Sequence, residues 1–340
     1  MRIPPEPRYY RTKKYANRFL LEYKFSELPI NPLKIIKDHK WALVTYSDLM
    51  DENNCTRKVL KSLSEDGFTS YNGRNYTIAY DESIRSSGRI KWTLMHEIAH
   101  IYLDHFIDFK QTTIRRGSLR DDEYDILEKE AHYFTKNVLA PLIILNRLKV
   151  KSPVMICKIA GLSDPAARNR YNDFLIWKDK PKLDIYELTL LTNFYNFIHK
   201  KHCITCGHSF VIEDAKYCPV CGKRRIYWGD GKMIYDDGFE VDENGRAIQC
   251  PRCGNEETEF DGNHCIICGT YMVNKCAETQ VSYYDFTESC GTTLPGNARY
   301  CYNCGNISTF YRDKLLKTWN HVHLTQQVAS AQEDENDVPF

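Results

Sequence analysis

Apolar residues recur at helical spacing in two segments of the amino-terminal half. Residues 90–105 read IKWTLMHEIAHIYLDH and contain neither glycine nor proline, so nothing in this stretch would break a helix. A second stretch runs from about Asp121 to Ala140 and stops at Pro141. Its apolar stripe consists of Leu127, Ala131, Phe134 and Val138. The pattern predicts two amphipathic helices.

Residues 152–199 predict three further helices. Ser163 can cap the helix that begins with DPAARNRYNDF, and Asp184 opens IYELTLLTNFYNFIHK. The run ICKIAGLSDPAARNRY has helix-turn-helix character, and we expect it to pack under the preceding domain rather than to bind DNA. A final helix is predicted over about 307–327, before an acidic tail over 328–340 whose composition predicts disorder.

Length and cysteine usage divide the chain. Its 340 residues suffice for about two domains, because single cores stop growing at about 250 to 300 residues. Of the 14 cysteines, only Cys55 and Cys157 precede residue 200. We therefore predict a core domain over 1–150, a helical subdomain over 151–200 and a cysteine-rich array over 201–306.

Charge and hydropathy limit the classes of binding partner that we expect. The chain has 46 lysines and arginines against 45 aspartates and glutamates, so no global basic field attracts nucleic acid or an anionic membrane. The amino terminus lacks the apolar core of a secretory signal, and no stretch approaches 18 uncharged apolar residues. We expect a cytoplasmic protein with no membrane partner.

Eight cysteines form two quartets with the same spacing. Each quartet consists of two CxxC pairs separated by eleven residues, and a glycine follows every pair. Two such turns can supply four thiolates to one zinc ion, since glycine accepts the tight turn behind each pair. A disulfide framework is the alternative, but it belongs to secreted chains. The two predicted zinc sites comprise Cys203, Cys206, Cys218 and Cys221, and then Cys250, Cys253, Cys265 and Cys268.

A third site departs from this pattern. Cys301 and Cys304 form a normal pair, but Thr287 stands where Cys290 should have its partner. Cys276, fourteen residues before Cys290, is then the expected fourth ligand. A site with three cysteines is the alternative.

The cysteine sites are expected to be structural. Four thiolates leave no position for a water molecule, so the chemistry must lie elsewhere. Zinc ribbons can bind nucleic acid, but Lys200 to Lys275 contains ten basic against twelve acidic residues. The patch from Lys223 to Trp228 is more typical of a solvated face. We therefore favour a protein partner over nucleic acid.

The sequence HEIAH indicates a catalytic metal site. At about 100° per residue, His96 and His100 lie about 40° apart on one helix face, and Glu97 lies about 60° beyond His100. Zinc bound by the two imidazoles would retain open positions, and Glu97 could deprotonate a zinc-bound water for attack on an amide. A surface helix with two histidines is the alternative. Helical phase does not choose a third ligand, because Glu128 and Glu130 both flank the second helix's apolar stripe.

HEIAH, followed about thirty residues later by ExxAxxF and LAP, resembles the ImmA/IrrE family of zinc metallopeptidases, which act inside bacterial cells on helix-turn-helix repressors. The segments YANRFLLEYKFSELPINPLKIIKDHKWALVTYSDL, GRNYTIAYDESIRSSGRIKWTLMHEIAHIYLDH and LSDPAARNRYNDF are also similar to that family. The resemblance covers about residues 10–180. It implies that His96, His100 and Glu128 bind zinc, with Glu130 as the runner-up ligand, and that Glu97 is the catalytic carboxylate.

Two residues near the implied site depart from the family pattern. His132 stands where the family usually has asparagine or aspartate, and Thr135 where it usually has alanine. His132 could orient a ligand or compete as one, and Asp104 could support His100, although solvation is the simpler role for Asp104. His105 repeats the family's LxH ending, but a continuous helix rotates it about 140° from His100, so we expect a structural role. If the helix frays there, His105 could instead donate a hydrogen bond to the tetrahedral oxyanion.

We therefore predict an α+β fold, in which a zincin-like metallopeptidase domain with a small sheet and a helical subdomain precedes tandem four-cysteine zinc ribbons. The predicted function is zinc-dependent endopeptidase activity on a transcriptional repressor, with one catalytic and two to three structural zinc ions. The competing prediction is a non-enzymatic zinc-ribbon regulator that binds DNA or protein.

Overall fold

The fold was analysed in a computed structural model that describes residues 2–114, 119–181, 183–233, 235, 238–258, 260–280 and 286–320. The chain divides into two compact units, Met1–Ile198 and His199–Phe340. The helical subdomain over 151–200 is not a separate unit in this division, and its boundary at 150 stays a prediction. Among the described residues, no helix is long and apolar enough to cross a bilayer.

The first unit begins with helices and a small mixed sheet. Its first seven elements are α1 (Tyr9–Glu22), α2 (Pro32–Asp38), β1 (Ala42–Thr45), α3 (Tyr46–Asn53), α4 (Arg57–Leu63), β2 (Gly67–Tyr71) and β3 (Tyr76–Tyr80). The strand order is β1-β3-β2, with β1 parallel and β2 antiparallel to β3. Thr69 pairs with Ile78 across β2 and β3. The sheet therefore places β2 beside the helix that follows.

Helices α5 (Ser87–Tyr102) and α7 (Asp121–Leu139) form the centre of this unit. The hydroxyl of Ser86 caps α5 by accepting a hydrogen bond from the Arg89 amide. Asp104 then adopts a left-handed conformation with φ of 60°, and the short helix α6 (His105–Asp108) follows it. The apolar stripe predicted for α7 is fully buried, since Leu127, Ala131, Phe134 and Val138 are each 0% exposed. Its burial holds α7 against α1 and α5.

Five more helices follow: α8 (Leu142–Arg147), α9 (Pro153–Ala160), α10 (Asp164–Asp179), α11 (Ile185–Asn193) and α12 (Tyr195–His199). Residues 152–199 thus contain four helices instead of the predicted three, because the chain turns at Phe194 between α11 and α12. The turn between α9 and α10 lies directly against α5. A Cβ at Gly88 would lie 2.7 Å from the Ser163 nitrogen, so this approach requires glycine.

The second unit contains short strands around cysteine clusters. Its elements are β4 (Lys200–Cys203), β5 (Ser209–Val211), β6 (Ile226–Trp228), β7 (Thr279–Gln280), β8 (Phe286–Thr287) and α13 (Thr309–Arg312). In the described part of the predicted helix over 307–327, the chain is helical at Thr309–Arg312 and again at residues 319–320. Lys314 takes a left-handed φ of 59°, so the helix is not continuous. Residues 321–340, which include the predicted tail, lie outside the described residues.

Backbone hydrogen bonds join the three cysteine ribbons to one another. The first and third ribbons meet where the Tyr217 amide donates to the Tyr302 carbonyl at 3.0 Å and the Arg299 amide donates to the Pro219 carbonyl at 2.8 Å. Asn274, which is 0% exposed, joins the second and third ribbons. Its side-chain amide nitrogen, Nδ2, donates to the carbonyls of Pro295 and Ala298 at 2.6 and 3.2 Å.

Candidate metal centres

Three side chains of the first unit bring their donor atoms together. His96 Nε2 lies 3.2 Å from His100 Nε2 and 3.2 Å from Glu128 Oε2, and His100 Nε2 lies 3.4 Å from Glu128 Oε1. Ligands about 2.0 to 2.1 Å from a tetrahedral zinc ion are about 3.3 Å apart. We call these three side chains the donor triangle. Its spacing fits one face of a zinc tetrahedron and leaves the opposite corner for another ligand.

Helices α5 and α7 create this arrangement. On α5, the spacing of four residues places both imidazoles on one face, and α7 packs alongside and brings Glu128 to them. Burial opposes the ionisation of Glu128, but the two imidazoles outweigh it, and the pKa of Glu128 lies well below its usual range. Burial also lowers the pKa of His96, but the Glu128 carboxylate outweighs that effect and raises it. The Glu128 carboxylate and the His96 imidazole therefore stabilise each other in their charged forms.

Glu97 is held beside the triangle by the edge of the sheet. Its side chain is buried, and Oε2 accepts a hydrogen bond of 2.8 Å from the hydroxyl of Thr69 on β2. Gly67 allows this close packing, because a Cβ there would lie 2.7 Å from the Thr93 methyl group on α5. Burial raises the pKa of Glu97, although both imidazoles and the Thr69 hydroxyl oppose the rise.

A cleft of about 480 Å³ borders the donor triangle at His96 and Glu128. Its lining also includes Glu97, together with Lys61, Trp92, Tyr124 and His132. The ring of His132 lies 4.9 Å from the ring of Trp92, and burial lowers the pKa of His132. His132 lines the cleft and is not one of the converging donors.

Glu130 faces away from the triangle. Its Oε1 accepts hydrogen bonds from the Arg8 amide at 2.6 Å and from Arg8 Nε at 2.8 Å, and its Oε2 accepts one from Arg8 Nη2 at 2.8 Å. His105 Nε2 lies 3.2 Å from the same Oε2. Burial opposes the ionisation of Glu130, but Arg8 and His105 outweigh it and hold its pKa at about 2. The structure therefore does not bring this runner-up ligand to the metal position.

His105 does not lie where a continuous α5 would place it relative to His100, although it is not one of the converging donors of the described residues. Extending α5 as a continuous helix rotates His105 away from His100, but α5 ends at Tyr102 and the left-handed turn at Asp104 redirects the chain. His105 Nδ1 thereby lies 3.0 Å from His100 Nδ1. Burial lowers the pKa of His105 to about 4, although Glu130 opposes this. Asp104 is exposed and lines a different cavity, together with Trp41.

Sequence reasoning missed Thr69 and Arg8. Neither belongs to a motif, and each reaches its partner across a large sequence separation. The one available signal for the His105 contact was Asp104, since aspartate tolerates the left-handed conformation better than most residues. Thr135, a departure from the family pattern, donates its hydroxyl to the Ala131 carbonyl at 2.8 Å and contacts no triangle residue in the hydrogen bonds described.

The cysteines form three tetrads with similar spacing. In the first tetrad, the sulfurs of Cys203 and Cys221 are 3.5 Å apart, against about 3.8 Å for two thiolates on one tetrahedral zinc ion. Cys276 completes the third tetrad, with its sulfur 3.5 Å from that of Cys304. The tetrads comprise Cys203, Cys206, Cys218 and Cys221, then Cys250, Cys253, Cys265 and Cys268, and lastly Cys276, Cys290, Cys301 and Cys304.

The helix with its histidine pair, the carboxylate from a second helix and the small mixed sheet define a zincin-like metallopeptidase domain, followed by tandem zinc ribbons. Residues 56–152 match the Peptidase_M78 family, described as the IrrE N-terminal-like domain. This match confirms, for residues 56–152, the resemblance to the ImmA/IrrE family found in the sequence. The match covers a shorter segment than the similarity over about residues 10–180. No curated protein matches the chain.

Proposed function

We propose that this chain is a zinc-dependent endopeptidase of the cytoplasm, with Glu97 as its general base. The observation that carries the proposal is the donor triangle bordering a cleft, with the buried Glu97 carboxylate in the same lining. A purely structural site would need neither the vacant corner nor the carboxylate.

Each residue of the site would have a separate role in the reaction. His96, His100 and Glu128 would hold zinc, which supplies Lewis acidity to a water molecule and to the peptide carbonyl. Glu97 would accept a proton from the attacking water and then deliver it to the leaving amine. The Thr69 hydroxyl would keep the Glu97 carboxylate aimed at the cleft through its hydrogen bond of 2.8 Å.

The proposed substrate is a helix-turn-helix transcriptional repressor, on the basis of the family resemblance. The zinc ribbons would recruit it, or another protein partner. Ile266 and Ile267 support this role, because they lie between two zinc ligands of the second ribbon and are 58% and 67% exposed. Adjacent exposed isoleucines on a metal-stabilised turn favour contact with a protein over contact with nucleic acid.

Replacing Glu97 with glutamine tests the proposal. The amide keeps the shape and the Thr69 contact but cannot accept the proton, so cleavage of a co-expressed repressor should be lost while zinc content and folding are retained. Glu65→Gln is the matched control, because Glu65 lies on the rim of the same cleft and is exposed.

Two results would contradict this function. One is equal cleavage by the wild type and Glu97→Gln, and the other is no cleavage of any candidate repressor by the zinc-loaded wild type. In the second case, the competing regulator hypothesis predicts binding of DNA or protein that Glu97→Gln leaves unchanged. An affinity for DNA that falls steeply with salt would favour that alternative.

A further inference from the structure

Four side chains connect the amino-terminal segment to the donor triangle. Arg8 binds the Glu130 carboxylate through two side-chain nitrogens and its backbone amide, Glu130 contacts His105 Nε2 at 3.2 Å, and His105 Nδ1 contacts His100 Nδ1 at 3.0 Å. Glu130 and His105 are 0% exposed, and His100 is 2% exposed. A buried contact between two imidazole nitrogens is favourable when one nitrogen carries a proton and the other accepts the hydrogen bond.

The chemistry of the donors sets the direction of these hydrogen bonds. Arg8 donates three hydrogen bonds to Glu130, so this carboxylate is ionised and only accepts. His105 must then carry its proton on Nε2 and present an unprotonated Nδ1 to His100. His100 can satisfy that nitrogen only by carrying its own proton on Nδ1, which leaves His100 Nε2 unprotonated. That nitrogen is the one in the donor triangle.

We propose that His105 is a positioning residue for the metal site, with Glu130 and Arg8 fixing its orientation. Together, Arg8, Glu130 and His105 hold His100 in the one neutral tautomer whose Nε2, the nitrogen in the donor triangle, can bind a metal ion. It also fixes the ring, because His100 is held at both of its nitrogens once a metal is bound. The inference rests on the metal site of the proposed function but not on peptide hydrolysis, so its test measures metal affinity.

The contribution to metal affinity should be substantial. Groups that accept a hydrogen bond from a metal-binding histidine typically change metal affinity by about 10- to 100-fold when they are removed. Here the accepting group is a second histidine, and the ionised carboxylate lies one side chain further from the metal. Without His105, His100 could exchange its proton between the two nitrogens and lose part of its preference for the binding form.

The experiment is a competition for zinc between the full chain and chelators of graded strength. The zinc ion that is absent from the His96→Ala/His100→Ala double variant identifies the donor triangle. His105→Phe should weaken binding of that ion 10- to 100-fold and leave the ribbon zinc unchanged. His105→Asn should restore most of the affinity, because its amide oxygen can accept the His100 proton. Thr135→Val, a buried substitution five residues after Glu130 on α7, should leave the affinity unchanged.

Two further measurements keep the inference testable if His105→Phe does not fold. Glu130→Gln removes the ionised acceptor but keeps its shape, and it should also weaken zinc binding at the triangle. In ¹⁵N spectra of the zinc-loaded chain, the His100 proton should be on Nδ1. Affinity within twofold of the wild type in folded His105→Phe and Glu130→Gln, or a proton absent from His100 Nδ1, would overturn the inference.

The outcomes also separate this inference from the proposed function. Failure of His105→Asn to improve on His105→Phe would assign His105 to packing alone and overturn its positioning role, while the peptidase proposal would stand. Full zinc content in the His96→Ala/His100→Ala variant would instead refute the metal site, and the proposed function with it.

Discussion

Replacing Cys276 with alanine tests the position where the cysteine repeat departs from its pattern. The Cys276 sulfur lies 3.5 Å from that of Cys304, and the Cys290 sulfur lies 3.5 Å from that of Cys301. Alanine removes one of the four thiolates and leaves a methyl group in its place. We expect the zinc content to fall from four ions to three, since the structure contains four candidate metal groups in its described residues.

The size of the effect follows from what else stabilises the third ribbon. Apart from its cysteines, the buried apolar cluster at this site contains Leu294 and Ala298. Burial of two such side chains contributes about 2 to 4 kcal/mol, whereas a structural zinc ion contributes on the order of 10 kcal/mol. Ordering the backbone costs about 1 kcal/mol per residue, so the segment from Cys276 to Cys304 should unfold locally without its ion.

Native mass spectrometry would count the zinc ions, and limited proteolysis would report local unfolding of the third ribbon. Cys157→Ala is the control, because this cysteine belongs to none of the metal groups found in the described part of the chain. Retention of four zinc ions and of protease resistance in Cys276→Ala would refute the reasoning and favour the site with three cysteines.

Three further predictions follow from other contacts. Thr69→Val, which removes the hydroxyl that donates to Glu97, should lower kcat/KM by about tenfold with zinc content unchanged, because a hydrogen bond to a charged group contributes about 1.5 to 3 kcal/mol; an unchanged kcat/KM would contradict it. Burial raises the pKa of Asp81, but hydrogen bonds from a neighbouring serine and lysine outweigh it and give a pKa of about 2, below the ordinary 3.8. This stabilisation is present above about pH 4 and is lost as the pH falls towards 2, so Asp81→Asn should lower the free energy of unfolding by about 2 kcal/mol at neutral pH and flatten its acid dependence in denaturant titrations. Thiol reagents should release zinc from the second and third tetrads before the first, because Cys253 and Cys290 are exposed while all four ligands of the first tetrad are buried; simultaneous release would count against this order.

Local sequence patterns predicted much of the first unit and of its candidate site. Helical spacing located α5 and α7, and the i, i+4 histidines needed only that helix to share one face. The choice between Glu128 and Glu130 could not come from periodicity, because both flank the apolar stripe of α7. The choice depends on how α7 is rotated against α5. It also depends on Arg8, which donates hydrogen bonds to the Glu130 carboxylate.

The contacts that sequence analysis missed involve a backbone turn or a distant strand. His105 was placed by extending α5 in ideal geometry, and one left-handed residue at Asp104 was enough to reverse the result. Thr69 lies on a strand whose register against β3 is set by the hydrophobic pattern of the whole sheet. Neither feature has a signal in the α5 motif itself. The spacing of the cysteines was more informative, because four sulfurs around one ion allow little freedom.

The hydrogen bonds that join the ribbons have a consequence for recognition. Asn274 and the contacts at Pro219 and Tyr302 make the three metal sites parts of one body, so their exposed side chains keep fixed separations. Tyr227 on the first ribbon and Ile266 on the second would thus present two contact sites at a fixed distance from each other. A partner that matches this distance gains both contacts without the entropic cost of a flexible tether, and one that does not match can use only one of them. The cysteine-rich array would thus select a partner by the distance between its two contact points.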